Sequence, residues 1–239
     1  MKRYALYALC LPLTAALLAA CGGGTVITDP IVLAAVPITT VNGTVDKWTG
    51  GASTVELLAL STAKSATNPA LASATLNANG TFALTLPSLA TITPYLTTIG
   101  NPGENLARNG TGCTGTLTNS DSTVQGYGFS TLSTGGSVIW TYAFVSTSAT
   151  ATTPNTDKIS ARLWLYLAKP TTFGGSTTCA ETVDGVPAKI TTTVNAPLVQ
   201  GWNALALTGT LVTSTDNTSK TGTVNLSTVS DASSDWYLR

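Results

Sequence analysis

Apolar and polar residues alternate along most of this chain, with the two-residue period of strands that bury one face. Val55, Leu57 and Ala59 share a face of Ser53–Ser61, and Phe82, Leu84 and Leu86 share a face of Gly80–Pro87. Ile38–Trp48 and Leu71–Ala78 complete a first set of four predicted strands. Asn42-Gly43 and Asn79-Gly80 are turn dipeptides that tolerate positive φ, and the second is expected to close a hairpin. Between Thr91 and Gly112 the alternation stops, and Pro94, Pro102 and several glycines predict a loop or a single helical turn. Strands resume from Thr114, over Ser122–Leu132, Ser137–Ser146, Lys158–Ala168, Ala188–Asn195, Trp202–Ser214 and Thr221–Val229, and a short one closes the chain from Asp235. Strands this short, separated by Gly, Pro, Asn and Ser, predict an all-β protein built as antiparallel sandwiches.

Composition agrees with that expectation. Threonine supplies 46 of the 239 residues and charged residues only 9%, which favours strands over helices. The apolar share of 43% is too high for a disordered chain. Without Lys2 and Arg3 of the leader the basic residues fall from 11 to 9 against 11 acids, a net charge near −2. Nucleic acid is therefore not an expected partner, since its binding rests on basic contacts to phosphate.

The beginning of the chain carries an address. Met1-Lys2-Arg3 is basic, and the apolar run Tyr4–Ala20, 17 residues interrupted by Pro12, falls short of the roughly 20 that span a bilayer. That layout predicts a secretory signal over residues 1–20. Its end, Leu18-Ala19-Ala20-Cys21, resembles the lipobox of bacterial lipoproteins. The resemblance implies that the Cys21 thiol receives a diacylglyceryl group, that the leader is cut before it, and that the new terminus is acylated. Residues 21–37 would then tether the protein to the membrane, its implied partner, and Gly22 in place of aspartate favours the outer membrane where a cell has two. The alternatives are a secreted protein cut near Ala20, with no lipid on Cys21, and an uncleaved transmembrane anchor.

With Cys10 in the leader and Cys21 lipidated, Cys113 and Cys179 remain, and a single pair in an exported chain is expected to form a disulfide. Two free thiols or a two-cysteine metal site are the alternatives, the second without histidine, the commonest further ligand.

The segment VNGTVDKWTGGASTVELLAL…LNANGTFALTLP resembles the transthyretin-like or carboxypeptidase-regulatory-like sandwich modules of exported bacterial proteins. That implies a scaffold or binding module over residues 38–97, without catalytic residues and short enough to borrow a strand from the following segment. A second sandwich is expected over residues 113–239, with the boundary near Gly100. Gly201-Trp202-Asn203, together with LWLYLAKPTTFGGSTTC upstream, resembles the C-terminal half of uncharacterised bacterial surface lipoproteins, read there as an aromatic strand before a cysteine-bearing loop. No activity comes with that resemblance.

Candidate chemistry is sparse. Ser61-Thr62-Ala63-Lys64, Thr215-Asp216-Asn217 and Lys220-Thr221-Gly222 imitate the motif set of penicillin-binding proteins and β-lactamases. The last two are two residues apart, in one loop, and cannot form opposite walls of a cleft. The acids are scattered and mostly beside Gly, Ser or Asn, which predicts turn formation; a loose calcium site at Asp216-Asn217 is the alternative. Without histidine and without a cofactor motif, no catalytic residue, cofactor or metal is expected. Aromatic rows are the best functional hint. Tyr127/Phe129, Trp140/Tyr142/Phe144 and Trp164/Tyr166 each sit at i, i+2, and Leu163, Leu165 and Leu167 already give the last strand a core face. The rows are expected to form either the seam between the modules or a platform on which sugars stack, with Trp140, Tyr142, Trp164 and Tyr166 as its surface. The function expected is a non-catalytic structural or protein/glycan interaction role at the cell surface, with a carbohydrate-binding module as the alternative.

Overall fold

The computed structural model describes residues 37–59, 68–100, 111–147 and 154–238. Among these the fold is all-β. In chain order the strands are β1 (Thr40–Val45), β2 (Ser53–Leu58), β3 (Ala70–Leu76), β4 (Thr81–Thr85), β5 (Thr97–Thr98), β6 (Thr111–Asn119), β7 (Gln125–Phe129), β8 (Thr131–Thr134), β9 (Ser137–Trp140), β10 (Ala143–Thr147), β11 (Asn155–Leu167), β12 (Thr171–Val183), β13 (Val186–Leu198), β14 (Gly201–Thr213), β15 (Lys220–Val229) and β16 (Ser234–Leu238). One α-helical turn, α1 (Leu89–Ile92), continued by a 3-10 turn over Thr93–Tyr95, interrupts them where the alternation stops.

The strands form two sheets. Sheet one has seven, in the order β3-β2-β8-β9-β16-β1-β4; sheet two has nine, in the order β5-β7-β11-β14-β15-β13-β12-β6, with β10 also on β11. Sheet two curls round its own core, in which Phe173, Leu167, Ile190, Leu207 and Leu226 are buried. Its two edges meet through a side chain: Asn119, at the end of β6, donates to the carbonyls of Ile99 and Gly100 just beyond β5, at 3.0 and 3.1 Å. A second core, with Val41, Leu57, Leu84, Ile139 and Trp236, fills the space between sheet one and the outer face of β7, β11 and β14.

Four expectations need correction. Sheet membership does not divide the chain near Gly100. The four N-terminal strands split into the pairs β3-β2 and β1-β4, and β8, β9 and β16 from the later segment fill the gap between them. Left alone, β1 and β2 would each expose an unpaired edge. Asn42-Gly43 is not a turn but the middle of β1. A Cβ on Gly43 would overlap the Phe82 ring and lie 2.6 Å from Trp236 Nε1, so glycine stands there to admit two rings. Asn79-Gly80 does turn the chain, with Gly80 at φ 83°, but no ladder joins β3 to β4: β3 pairs with β2 and β4 with β1. The turn instead draws the two edges of sheet one together. Finally, TTFGGSTTCAETV is no loop but the 13-residue strand β12, laddered to β13 and β6. Its glycines and threonines conceal an inward row of Phe173, Thr177, Cys179 and Val183.

The chain passes between the sheets four times: over residues 86–96 between β4 and β5, at Ser130 between β7 and β8, at Thr141-Tyr142 between β9 and β10, and over residues 230–233 between β15 and β16. The two middle crossings interrupt what the alternation predicts as single strands. The crossing at Thr141 solves a pairing problem on β11. Residues 164–167 of β11 pair with β7 and residues 156–160 with β10, which leaves Arg162 between them. The buried hydroxyl of Thr141 takes the place of a backbone neighbour there. It accepts from the Arg162 N–H at 3.1 Å and donates to the Arg162 carbonyl at 2.7 Å. Thr141→Val keeps the shape and strands both backbone groups, so unfolding free energy should fall by about 1–3 kcal/mol in urea titrations. An unchanged midpoint would remove the hydroxyl from this role.

Candidate functional site

The aromatic rows resolve into a buried seam and a half-exposed remnant. On β11 the odd positions Leu165 and Leu167 enter the core of sheet two, while the even positions Trp164 and Tyr166 face sheet one. Direct cross-strand pairing sets Phe129 beside Trp164 and Tyr127 beside Tyr166, with Ala204 and Trp202 on the other side. Small Ala204 leaves room for the neighbouring indole. Trp164 stacks on Phe129 with ring centres 5.1 Å apart and on Trp236 of sheet one at 5.2 Å, the last pair within 6° of parallel. Trp202 meets Tyr127, Phe129 and Tyr166 edge to face. Two side-chain hydrogen bonds cross the seam among the described residues: Tyr127 Oη donates to the Leu58 carbonyl at 3.1 Å, and Trp202 Nε1 to that of Pro87 at 2.9 Å. Among the described residues neither Trp164 nor Trp236 finds a partner for its indole N–H, at a cost of about 1–3 kcal/mol each. Truncating one buried ring costs about 3–5 kcal/mol, so packing outweighs the unpaired donors.

The platform expected at Trp140, Tyr142, Trp164 and Tyr166 is therefore corrected. Trp164 is 0% exposed and Tyr166 6%, so neither offers a surface. Both faces of this half of β11 are apolar, and sheet one must cover the outer one. Trp140 and Tyr142 are half-buried, 6.0 Å apart, and Phe144 lies beyond the crossing on β10 in the other sheet, so these three do not share one strand face.

The outer face of β11 changes character along its length. From Tyr166 and Trp164 it continues to Arg162 and Ser160, paired on β14 with Ala206 and Thr208. Burial falls in step: Trp164 and Ala204 are buried, Arg162 and Ala206 half-buried, Ser160 and Thr208 exposed. Where the rings end, a cleft of about 690 Å³ opens between the sheets. Asn42, Thr81 and Gly43 form one wall, Ser160, Arg162 and Thr208 the other, and Asp231, Asp235 and Tyr237 close the end. Arg162 carries no motif that marks it in the sequence. Its signal is the even row Lys158, Ser160, Arg162, Trp164, Tyr166, in which polar and aromatic residues share one face.

Three of the acids hold turns, whereas Glu56, Asp157, Glu181 and Asp235 lie in strands. Asp121 accepts from the Thr123 hydroxyl and N–H at 2.7 and 2.9 Å. Asp216 takes Ser214 Oγ at 2.6 Å and Thr218 Oγ1 at 2.9 Å, and Asp231 takes Ser233 Oγ at 2.7 Å. These hydroxyls hold all three carboxyls below the ordinary carboxylate value, with Arg162 adding a smaller pull on Asp231. Thr215-Asp216-Asn217 is the turn between β14 and β15, and Lys220 is a buried ammonium bound to Asp184 at 2.6 Å. Ser61-Thr62-Ala63-Lys64, like Cys21 and the leader, lies outside the described residues. Among the described residues no three His, Cys, Asp or Glu side chains gather where they could hold a metal ion.

Cys113 of β6 and Cys179 of β12 are bonded, 66 residues apart in sequence, and tie the edge strand β6 to its neighbour. Gly201-Trp202-Asn203 is structural. Trp202 enters the seam, and buried Asn203 accepts from the Val199 N–H at 2.9 Å and donates to the carbonyls of Val199, Gly201 and Leu165. Comparison with family models, curated proteins and solved structures finds no match to this chain.

Trp164→Ala should cost about 3–5 kcal/mol of unfolding free energy and Trp140→Ala about 1 or less, read from urea midpoints. Equal losses would refute the seam. Glu181, half-buried in β12, has its carboxyl pushed above the ordinary 4.5 by burial. A carboxyl raised by folding favours the fold while protonated, and that contribution is lost as pH rises through the raised value. Glu181→Gln should therefore raise the melting temperature at about pH 7, with the gain disappearing near pH 4 in calorimetry.

Proposed function

We propose that this chain is an exported, lipid-anchored protein of the bacterial cell envelope with a non-catalytic role, structural or in contacts with proteins or glycans. The Cys113–Cys179 bond carries this reading. A lone cysteine pair joined across two strands suits an oxidising compartment, and closing a loop of 66 residues stabilises a fold by about 4 kcal/mol in the chain-entropy model. The leader agrees, since Leu18-Ala19-Ala20-Cys21 resembles a lipobox and Cys21 is the residue that would be acylated. Two or more acyl chains give lasting attachment, each buried CH₂ contributing about 0.8 kcal/mol.

The chemistry of the acids supports a binding or scaffold role. Asp121, Asp216 and Asp231 are engaged by turn hydroxyls that hold their carboxyls below the ordinary carboxylate value, which suits groups that fix turns. The likeness of residues 38–97 to carboxypeptidase-regulatory-like modules, which act as scaffolds or binders, points the same way. The outer membrane is the favoured site where a cell has two, from Gly22 beside Cys21.

Metabolic labelling with radioactive palmitate tests the anchor. Label should enter the wild-type protein and be absent from Cys21→Ser, and mass spectrometry should find the mature chain starting at a triacylated Cys21. A native protein that retains residues 1–20, or starts at an unmodified Cys21, would overturn the reading.

A further inference from the structure

We infer that the cleft beyond the aromatic seam binds a neutral saccharide, which rests on the envelope reading above and gives the displayed scaffold a site and a ligand class. The cleft, about 690 Å³, falls within the range of about 300–1,000 Å³ usual for small-molecule sites. Its hydrogen-bonding groups are mixed in kind. Arg162 offers donors alone, Asp235 acceptors alone, and Asn42, Tyr237, Ser160 and Thr208 both. A sugar hydroxyl donates and accepts at once, so a mixed wall of this sort can pair it fully, whereas a phosphate or carboxylate would need donors only. Charge agrees: among the described residues of the lining Arg162 is the one cation, set against Asp231 and Asp235, so these groups present a net negative wall to an anionic ligand.

The half-buried aromatics stand beside this wall. Tyr237 of β16 lines the cleft and pairs directly with Trp140 of β9, and Tyr142 lies against Trp140 at 6.0 Å, between the cleft residues Thr141 and Ala143. Rings placed next to mixed donors and acceptors suit a ligand with apolar C–H faces and hydroxyl rims. The walls are laddered strands, and Thr141 fixes the backbone of Arg162, so the site is formed in advance and binding orders little. Asp231 is engaged by Ser233, whose hydroxyl holds its carboxyl below the ordinary carboxylate value, which does not favour the protonated acid that glycoside cleavage uses. The role inferred is therefore retention of the saccharide. An extended peptide would be recognised elsewhere, by main-chain pairing along an exposed edge such as β10, where Val145 is 60% exposed.

The test uses the full chain in detergent on arrays of neutral di- to hexasaccharides, acidic glycans and extended peptides, with titration calorimetry on the glycans retained. Neutral glycans should bind and acidic ones should not. Affinity should fall about tenfold or more in Arg162→Gln, in Tyr237→Ala and in Thr208→Arg, which fills the cleft from an exposed position, and should hold in Phe144→Ser on β10. Melting temperatures of the variants separate lost binding from lost folding, and Thr208→Arg keeps the test valid should Arg162→Gln unfold. No neutral glycan retained, binding indifferent to all three cleft variants, or capture of peptides or acidic glycans alone would overturn the assignment. Palmitate labelling is independent of these outcomes, so an empty array with the label intact removes the saccharide site and leaves the anchor standing.

Discussion

One half of one strand constrains the whole molecule. Between Leu163 and Leu167, β11 is apolar on both faces, leucines on one and Trp164 with Tyr166 on the other. A strand of that kind cannot lie at a surface, because a single ring such as Trp164 left in water would forfeit the burial of about 150–250 Å². Sheet two satisfies the leucine face by curling round its own core. Nothing within sheet two can also cover the outer face, so sheet one is held against it by Trp236, Phe82 and Leu84. The two sheets are thus joined by a shared apolar requirement rather than by a linker.

That requirement explains the threading of the chain. If the sheets were independent modules, the segment after residue 113 would build only its own sheet. Instead β8, β9 and β16 leave it to complete the N-terminal set, and β16 delivers Trp236 to the Trp164 ring. The passage at Thr141 then leaves a gap beside Arg162, and a hydroxyl fills it. Threonine is useful here for the same reason that it is abundant in the chain: it favours strands and still carries a donor and an acceptor.

Much of this was legible in the sequence, and the exceptions share causes. The all-β class, most strand positions, the Cys113–Cys179 pair and the choice of seam or platform for the aromatics follow from period-two alternation and simple cysteine counting. Strand order was hidden because alternation says which face a residue occupies and nothing about its neighbour. Asn42-Gly43 misled because a glycine that clears space for Phe82 and Trp236 looks like a glycine that permits positive φ. β12 was missed because its alternation runs through threonine, cysteine and glycine, which carry weak hydropathy contrast. The cleft was hidden because its walls come from residues near 42, 81, 160, 208 and 235, which only the completed sheet pairing brings together.

The seam and the cleft are one structural feature with two side-chain compositions. Along the even positions of β11 the backbone and its ladder to β14 continue unchanged from Tyr166 to Lys158. What changes is the side chain that meets sheet one. Stacked rings hold the sheets in contact from Tyr166 to Trp164; Arg162 and Ser160 are too polar to be sealed without partners, and they line the cleft instead. Arg162 sits at that changeover with its backbone fixed by Thr141, its guanidinium near Asp231, and the buried Trp164 two residues away on the same face. The rigidity demanded by the core is therefore transmitted directly to the wall of the cleft, which is the condition a preformed recognition site needs.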